Sequence, residues 1–270
     1  NVAATYAENN LNQTQGSLQT VLQQLSSGSR INSGADDAAG LSVADGLKAN
    51  EAALNQSAQN AQNGVGLLQT ADGALSQVTN LLNRATTLAT EASNGGLTAA
   101  QSTAADTEFQ SIITEIGNIG GKTNFNSTGV FSATATNFVV TDGTTAGTTT
   151  IATTTGALSA TSIGGVTFSA ADKLTSAASA ATTLTDVTNA VAGISAQRGT
   201  LGAGINQLSA AANVASSESV NLSSAESSIR STNYGQATSD LAKYQVLNQT
   251  GISALAQANS VQQEMLKLLQ

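Results

Sequence analysis

No proline interrupts the 270 residues. An average chain of this length would carry roughly 13. A proline inside a helix removes one backbone hydrogen bond, clashes with the preceding turn and costs about 3 kcal/mol. Its complete absence permits helices of any length and removes slow X–Pro isomerisation from folding. The residues are spaced to use that freedom. Leu11, Leu18, Leu22 and Leu25 recur at intervals of seven, four and three, with Val21 beside them, which is the stripe of a helix that packs along a partner. Its other faces hold Asn, Gln, Ser and Thr. A solvated helix face is normally charged, so uncharged polar faces indicate a surface that packs against something.

Further helices follow. The stripe stops in Ser26–Gly34, and Ser33 with Asp36 three residues on reads as a capping signal for the next helix. That helix is expected over 38–93, with a seam of Leu54, Ala58, Ala61, Val65, Leu68, Asp72, Leu75, Thr79 and Leu82, ended by Asn94-Gly95-Gly96. Thr98 and Gln101 have capping-box spacing for a third helix, with Phe109, Ile112, Ile113, Ile116 and Ile119 on its apolar face. Between 122 and 182 the pattern changes. Asn137-Phe138-Val139-Val140-Thr141 is β-branched, Asp142-Gly143 is a hairpin signal, and 148–151 and 165–168 read as further short strands. Thr183 and Asp186 have capping spacing for the longest helix. Its seam runs Leu184, Val187, Val191, Ile194, Arg198, Leu201, Ile205, Leu208, Ala212, Ala215, Ser219, Leu222, Glu226 and Ile229, eleven of the fourteen apolar. Over 184–229 it extends roughly 70 Å, too far to stand without partner helices. Thr232–Gly235 breaks it, and a last helix from about 236 to 269 carries Leu241, Leu247, Ile252, Leu255, Val261, Leu266 and Leu269.

Composition excludes most catalytic chemistries. There is no His and no Cys, hence no imidazole base, thiol nucleophile, disulfide or zinc cluster. No catalytic residue, cofactor or metal ligand set is expected. The adjacent carboxylates Asp36 and Asp37 point to different faces and make no dyad. Gly199–Gly204 lies mid-helix without a following Lys-Ser or Lys-Thr, so it is no phosphate loop. A net charge of -8 with nine Lys and Arg argues against nucleic acid and anionic membranes. No apolar run is long enough to span a bilayer, and Asn1–Tyr6 shows no signal-peptide pattern. The fold class expected is mainly α: a long antiparallel helical bundle or coiled coil from the N- and C-terminal segments, with a small β-hairpin insertion in the middle.

Gln24-Leu25-Ser26-Ser27-Gly28-Ser29-Arg30-Ile31-Asn32-Ser33-Gly34-Ala35-Asp36-Asp37-Ala38-Ala39-Gly40 resembles the hallmark of bacterial flagellin. So does Ala254–Val261 followed by Leu266, Leu268 and Leu269. Gly121–Asn126 is similar to the family's turn after its third helix, and Glu226–Tyr234 to its link into the last helix. The resemblance covers all but about 132–182. It implies an inner coiled-coil domain from 1–36 with 231–270, a helical rod domain from 37–131 with 183–230, and a small β-rich exposed insertion at 132–182. It also implies a structural subunit that polymerises into the extracellular flagellar filament for swimming, exported without a cleaved signal peptide. A hook–filament junction protein or a cell-surface binding homologue of the same architecture is the alternative.

The partners so implied are further copies of the chain, an export chaperone, and cap and hook-junction proteins. Subunit contacts are expected at Leu11, Leu18, Leu22, Leu25, Arg30, Asp36, Asp37, Leu255, Val261, Leu266 and Leu269. Arg84, Leu88 and Glu115 match positions where some flagellins meet the innate receptor Toll-like receptor 5, with Thr86 and Thr87 standing where the strongly recognised form has larger polar residues. The residues themselves agree on mechanism. A thin helix with uncharged polar faces is marginal alone and gains its order from subunit contacts, and head-to-tail contacts that do not close give an open filament.

Overall fold

The computed structural model describes residues 2–142, 144 and 148–268, with the backbone alone for 262–268. Its elements are α1 (Val2–Ser27), α2 (Ala38–Ser93), α3 (Ala99–Lys122), β1 (Asn124–Phe125), β2 (Thr128–Gly129), β3 (Thr136–Val140), β4 (Thr149–Thr153), β5 (Ser162–Ile163), β6 (Val166–Thr167), α4 (Ala177–Arg230) and α5 (Tyr234–Leu268). The chain is mainly helical, as expected, and the strands form three separate antiparallel pairs, β1–β2, β3–β4 and β5–β6. Two compact units are distinguished: residues 1–49 with 220–270 (unit 1), and residues 50–219 (unit 2).

Unit 2 has a continuous apolar core drawn from α2, α3, α4 and the hairpins. The buried ladder of α2 alternates three and four as Ala61, Gly64, Leu68, Ala71, Leu75, Val78, Leu82 and Ala85. The expected seam shares Ala61, Leu68, Leu75 and Leu82, but its intervening members Val65, Asp72 and Thr79 are only half-buried. The helix is rotated toward Gly64, Ala71 and Val78. Close approach explains the rotation. A Cβ at Gly64 would lie 2.8 Å from Leu208 Cδ1 and 2.9 Å from Phe138 Cδ1, and one at Gly204 would lie 3.1 Å from Leu68 Cδ1. Leu208 of α4 thus fills the gap at Gly64 of α2, and Leu68 of α2 fills the gap at Gly204 of α4. Each leucine so buried stabilises by about 2 kcal/mol.

Helix α3 starts at the expected capping box. Thr98 Oγ1 accepts from the Gln101 N–H at 3.4 Å, and Gln101 Oε1 accepts from the Thr98 N–H at 2.9 Å. Its face of Phe109, Ile112, Ile113 and Ile116 is buried. The β1–β2 pair follows at once, turned by Asn126 and Ser127, both at positive φ, the backbone of a tight two-residue hairpin. β3 pairs with β4 in the register Phe138↔Ile151. The buried hydroxyl of Ser57 ties the end of that hairpin to α2: it donates to the Thr141 carbonyl at 2.7 Å and accepts from the Thr141 N–H at 2.8 Å. Gly164 and Gly165 turn β5 into β6 at positive φ, and Gly164 rests against α4 at Gly193.

Helix α4 begins at Ala177, six residues before the expected Thr183. Ser176 caps it, its carbonyl accepting from the Ala180 N–H at 2.9 Å and its Oγ from the Ser179 N–H at 3.3 Å. Thr183 is fully buried instead, and its hydroxyl donates to the Lys173 carbonyl at 3.4 Å. Asp186 lies beside Asp172. Burial and then the neighbouring carboxylate push its own carboxyl above the ordinary range.

Unit 1 pairs α1 with α5. Leu11 sits against Gly251, 3.2 Å from where its Cβ would be, and Gly28 sits against the Tyr234 hydroxyl. The order of these contacts along the two chains makes the pair antiparallel. Along α1 the sheltered side is Ala4, Ala7, Leu11, Thr14, Leu18, Val21 and Leu25. Along α5 it is Ala237, Leu241, Tyr244, Asn248, Gly251, Leu255 and Ala258. Both runs keep the three–four alternation of a coiled-coil seam.

Candidate assembly surface

The ends of α1 and α4 are joined by backbone. Gly28 leaves α1 at φ +72, Ser29 bridges Ser231, the Arg30 N–H donates to the Arg230 carbonyl at 2.6 Å, and the Thr232 N–H donates to the Gly28 carbonyl at 3.0 Å. Ile31 behind this clasp is fully buried. Arg30 extends the clasp, its guanidinium donating to the Ile229 carbonyl at 2.8 Å.

The two neighbouring carboxylates take different local tasks. Asp36 accepts from the N–H groups of Asn32 (3.0 Å) and Ser33 (2.8 Å) and from the Ser33 hydroxyl (3.1 Å). These backbone donors, Asn32 first, hold its carboxyl below its ordinary value. Asp37 is the residue that caps α2, accepting from the Gly40 N–H at 2.8 Å; the expected cap at Ser33 and Asp36 is a closed loop one residue upstream. Arg230, at the end of α4, reaches Glu226 at 3.5 Å and Asp45 at 3.7 Å.

Apolar side chains are distributed unevenly. Among the described residues, ten of the twelve exposed large hydrophobic side chains belong to unit 1, against four of the thirty-four buried hydrophobic ones. On α1 the exposed set is Val2, Tyr6 and Leu22; on α5 it is Val246, Leu247, Ile252 and Val261, with Tyr234 at its start. Leu247, Ala254 and Val261 follow one another at intervals of seven, a second apolar line beside the seam that faces α1. Isolated surface hydrophobes need no explanation, but a line at coiled-coil spacing does.

The expected contact residues therefore divide. Leu11, Leu18, Leu25 and Leu255 are half-buried along the α1–α5 seam, whereas Leu22 and Val261 are 47% exposed. The side chain of Leu266 and all of Leu269 lie outside the described residues. In unit 2, Arg84 grips Glu108 with two parallel bonds of 2.7 and 3.0 Å. Glu115 is exposed and accepts from the Asn118 amide at 3.3 Å. Leu88 is 3% exposed and belongs to the core. Among the described residues no cluster of acidic side chains could hold a metal ion, and no helix is long and apolar enough to cross a membrane.

A helical structural protein with an unfinished apolar surface is the class these features define. Residues 1–136 match the family described as bacterial flagellin N-terminal helical region, and residues 184–269 match bacterial flagellin C-terminal helical region. A flagellin of Halalkalibacterium halodurans is 32% identical over 270 residues, covering 100% of this chain and 98% of that one. The flagellar filament 30.7 kDa core protein of Treponema maltophilum is 32% identical over 279 residues with the same coverage, 100% and 98%. A flagellin of Listeria innocua is 31% identical over 267 residues, 92% of this chain and 90% of the relative. The chain belongs to the bacterial flagellin family.

Proposed function

We infer that this chain is the structural, non-catalytic subunit of a bacterial flagellar filament, polymerising outside the cell into an open helical array that serves swimming. The observation that carries this reading is the concentration of exposed large apolar side chains on unit 1, ten of the twelve among the described residues, with Leu247, Ala254 and Val261 repeating at intervals of seven on α5. Such a surface does not suit a chain that stays monomeric, and a second copy is a partner of matching chemistry. The named relatives support it, one of them being called a filament core protein.

In this reading residues 1–36 and 231–270 form the inner layer, residues 37–131 and 183–230 the next, and 132–182 the exposed part. Leu22 and Val261 make contacts between subunits, while Leu11, Leu18, Leu25 and Leu255 hold each α1–α5 pair together. Arg30, Asp36 and Asp37 shape the loop that such contacts meet. An export chaperone and the cap and hook-junction proteins engage the same terminal helices at other stages. Recognition by Toll-like receptor 5 would run through the exposed Arg84 and Glu115, with Leu88 left in the core.

The test is negative-stain electron microscopy of the purified chain after seeding. Filaments about 100–250 Å across, the scale set by a ring of ~70 Å helical rods around a channel, are expected. Persistent monomers with intact termini would move the assignment to a junction or binding role.

A further inference from the structure

Asp72 of α2 and Arg198 of α4 form a two-bond fork, Nε to Oδ1 at 2.7 Å and Nη2 to Oδ2 at 3.2 Å. Both side chains are more than a third exposed. Each is followed directly by a helix-interior glycine, Gly73 and Gly199, with Gly202 three residues further along α4. These differ from Gly64 and Gly204, whose missing side chains are filled by a neighbour. A Cβ at Gly73, Gly199 or Gly202 would meet nothing within 4 Å. Packing therefore does not demand glycine at any of the three. Each lowers local helix stability about fivefold relative to alanine.

A second anomaly lies where β4 packs on the same stretch of α4. Gln197 Oε1 and Thr153 Oγ1 are buried without a hydrogen-bond partner. Gln197 immediately precedes Arg198, and the Thr153 methyl lies where a Cβ on Gly204 would come within 2.8 Å. Orphaned polar atoms penalise the packing that orphans them. Here they bracket residues 197–204, the segment with the weakest helical preference.

We propose that the Asp72–Arg198 pair is a clamp across a paired yielding point, at which α2 and α4 bend together when the fork opens while the apolar layers on either side hold. Helices bend at identifiable places, glycine among them, and local opening follows low local stability. Two helices with unforced glycines at one level, bridged by a single partly exposed ion pair, meet both conditions. The clamp is electrostatic and accessible to water, so added salt weakens it.

Peptide-resolved hydrogen exchange on the full-length monomer tests this. Wild-type amides at 197–205 should exchange faster than those at 187–194. Asp72→Asn should speed 197–205 about two- to fivefold, the range of a partly exposed pair, and 1 M salt should reproduce the effect in the wild type. Segment 82–92 of α2 should not respond. The double change Gly199→Ala and Gly202→Ala, which nothing obstructs, should slow 197–205 by about fivefold or more, and it keeps the question answerable if Asp72→Asn folds poorly. Equal wild-type exchange across 187–205, an unresponsive 197–205, or a change spread uniformly along α4 would overturn the proposal.

Discussion

Helix α3 of unit 2 and helix α5 of unit 1 both carry large apolar residues and use them differently. Phe109, Ile112, Ile113 and Ile116 of α3 are buried. Val246, Leu247, Ile252 and Val261 of α5 are exposed, Val246 by 62%. The sheltered seam of α5 instead offers Ala237, Tyr244, Asn248, Gly251 and Ala258 around only two leucines. α3 has two helices and three hairpins in its own unit to pack against, whereas α5 has chiefly α1. A helix pair can shelter one stripe on each member, so apolar residues on the flanks stay in water until another copy arrives. Unit 2 thus buries its apolar residues within itself, whereas unit 1 leaves apolar surface that further copies of the chain can cover.

Deleting residues 236–270 separates the two units most sharply. Polymerisation should be lost altogether while the cooperative melting of unit 2, followed by circular dichroism, persists. Normal filaments from this truncation would remove the assembly role of α5. Core truncation sharpens the contrast next. Phe109→Ala should cost unit 2 about 3–5 kcal/mol in denaturant unfolding, whereas Leu22→Ala should leave monomer unfolding within about 0.5 kcal/mol yet slow filament growth. Filling the gap behind Leu208 with Gly64→Val should cost about 1–3 kcal/mol by overpacking, measured as a lower denaturation midpoint.

The smallest effect is on pH, and it has opposite signs in the two units. Asp36 of unit 1 has its pKa lowered from 3.8 by backbone donors, so its contribution is present above 3.8 and is lost as pH falls through the lowered value. Asp186 of unit 2 has its pKa raised from 3.8, so its contribution is full below 3.8 and is lost as pH rises through the raised value. Asp186→Asn should therefore raise the neutral-pH Tm of unit 2 slightly, with the gain vanishing on acidification. Asp36→Asn should lower the protection of the 32–36 loop at neutral pH and make no difference in acid. Matching pH profiles for the two variants would contradict these assignments.

Much of this was legible in the residues. The bounds of α2, the Thr98 capping box and the break at 94–96 follow from turn and cap chemistry that acts locally. So does the break after α4, although α5 begins at Tyr234, inside the expected 232–235 break. Gly143 of the expected hairpin turn lies outside the described residues. The rotation of the α2 seam was not legible. Valine outranks glycine on any hydrophobic scale, yet Gly64 lies deeper than Val65 because it lets Leu208 and Phe138 approach. The start of α4 was missed because Thr183 has the residue type of a cap and Ser176 has better geometry, which only the fold reveals. On the assembly surface the sequence singled out Leu22 and Val261, but not Val2, Tyr6 or Val246. The missed residues lie off any single stripe, and only the position of the α1–α5 seam decides which side of each helix remains uncovered.

The chain has no cysteine, so a single thiol can be placed on an exposed position of each unit. Leu247→Cys on α5 and Val139→Cys on β3 are both exposed in the monomer, the native side chains by 43% and 44%. Thiol labelling rates, measured before and after polymerisation, compare the two units directly. Both should react readily in the monomer, and Leu247→Cys should become strongly protected in the filament while Val139→Cys changes far less. Filaments in which Leu247→Cys reacts as fast as in the monomer would contradict this.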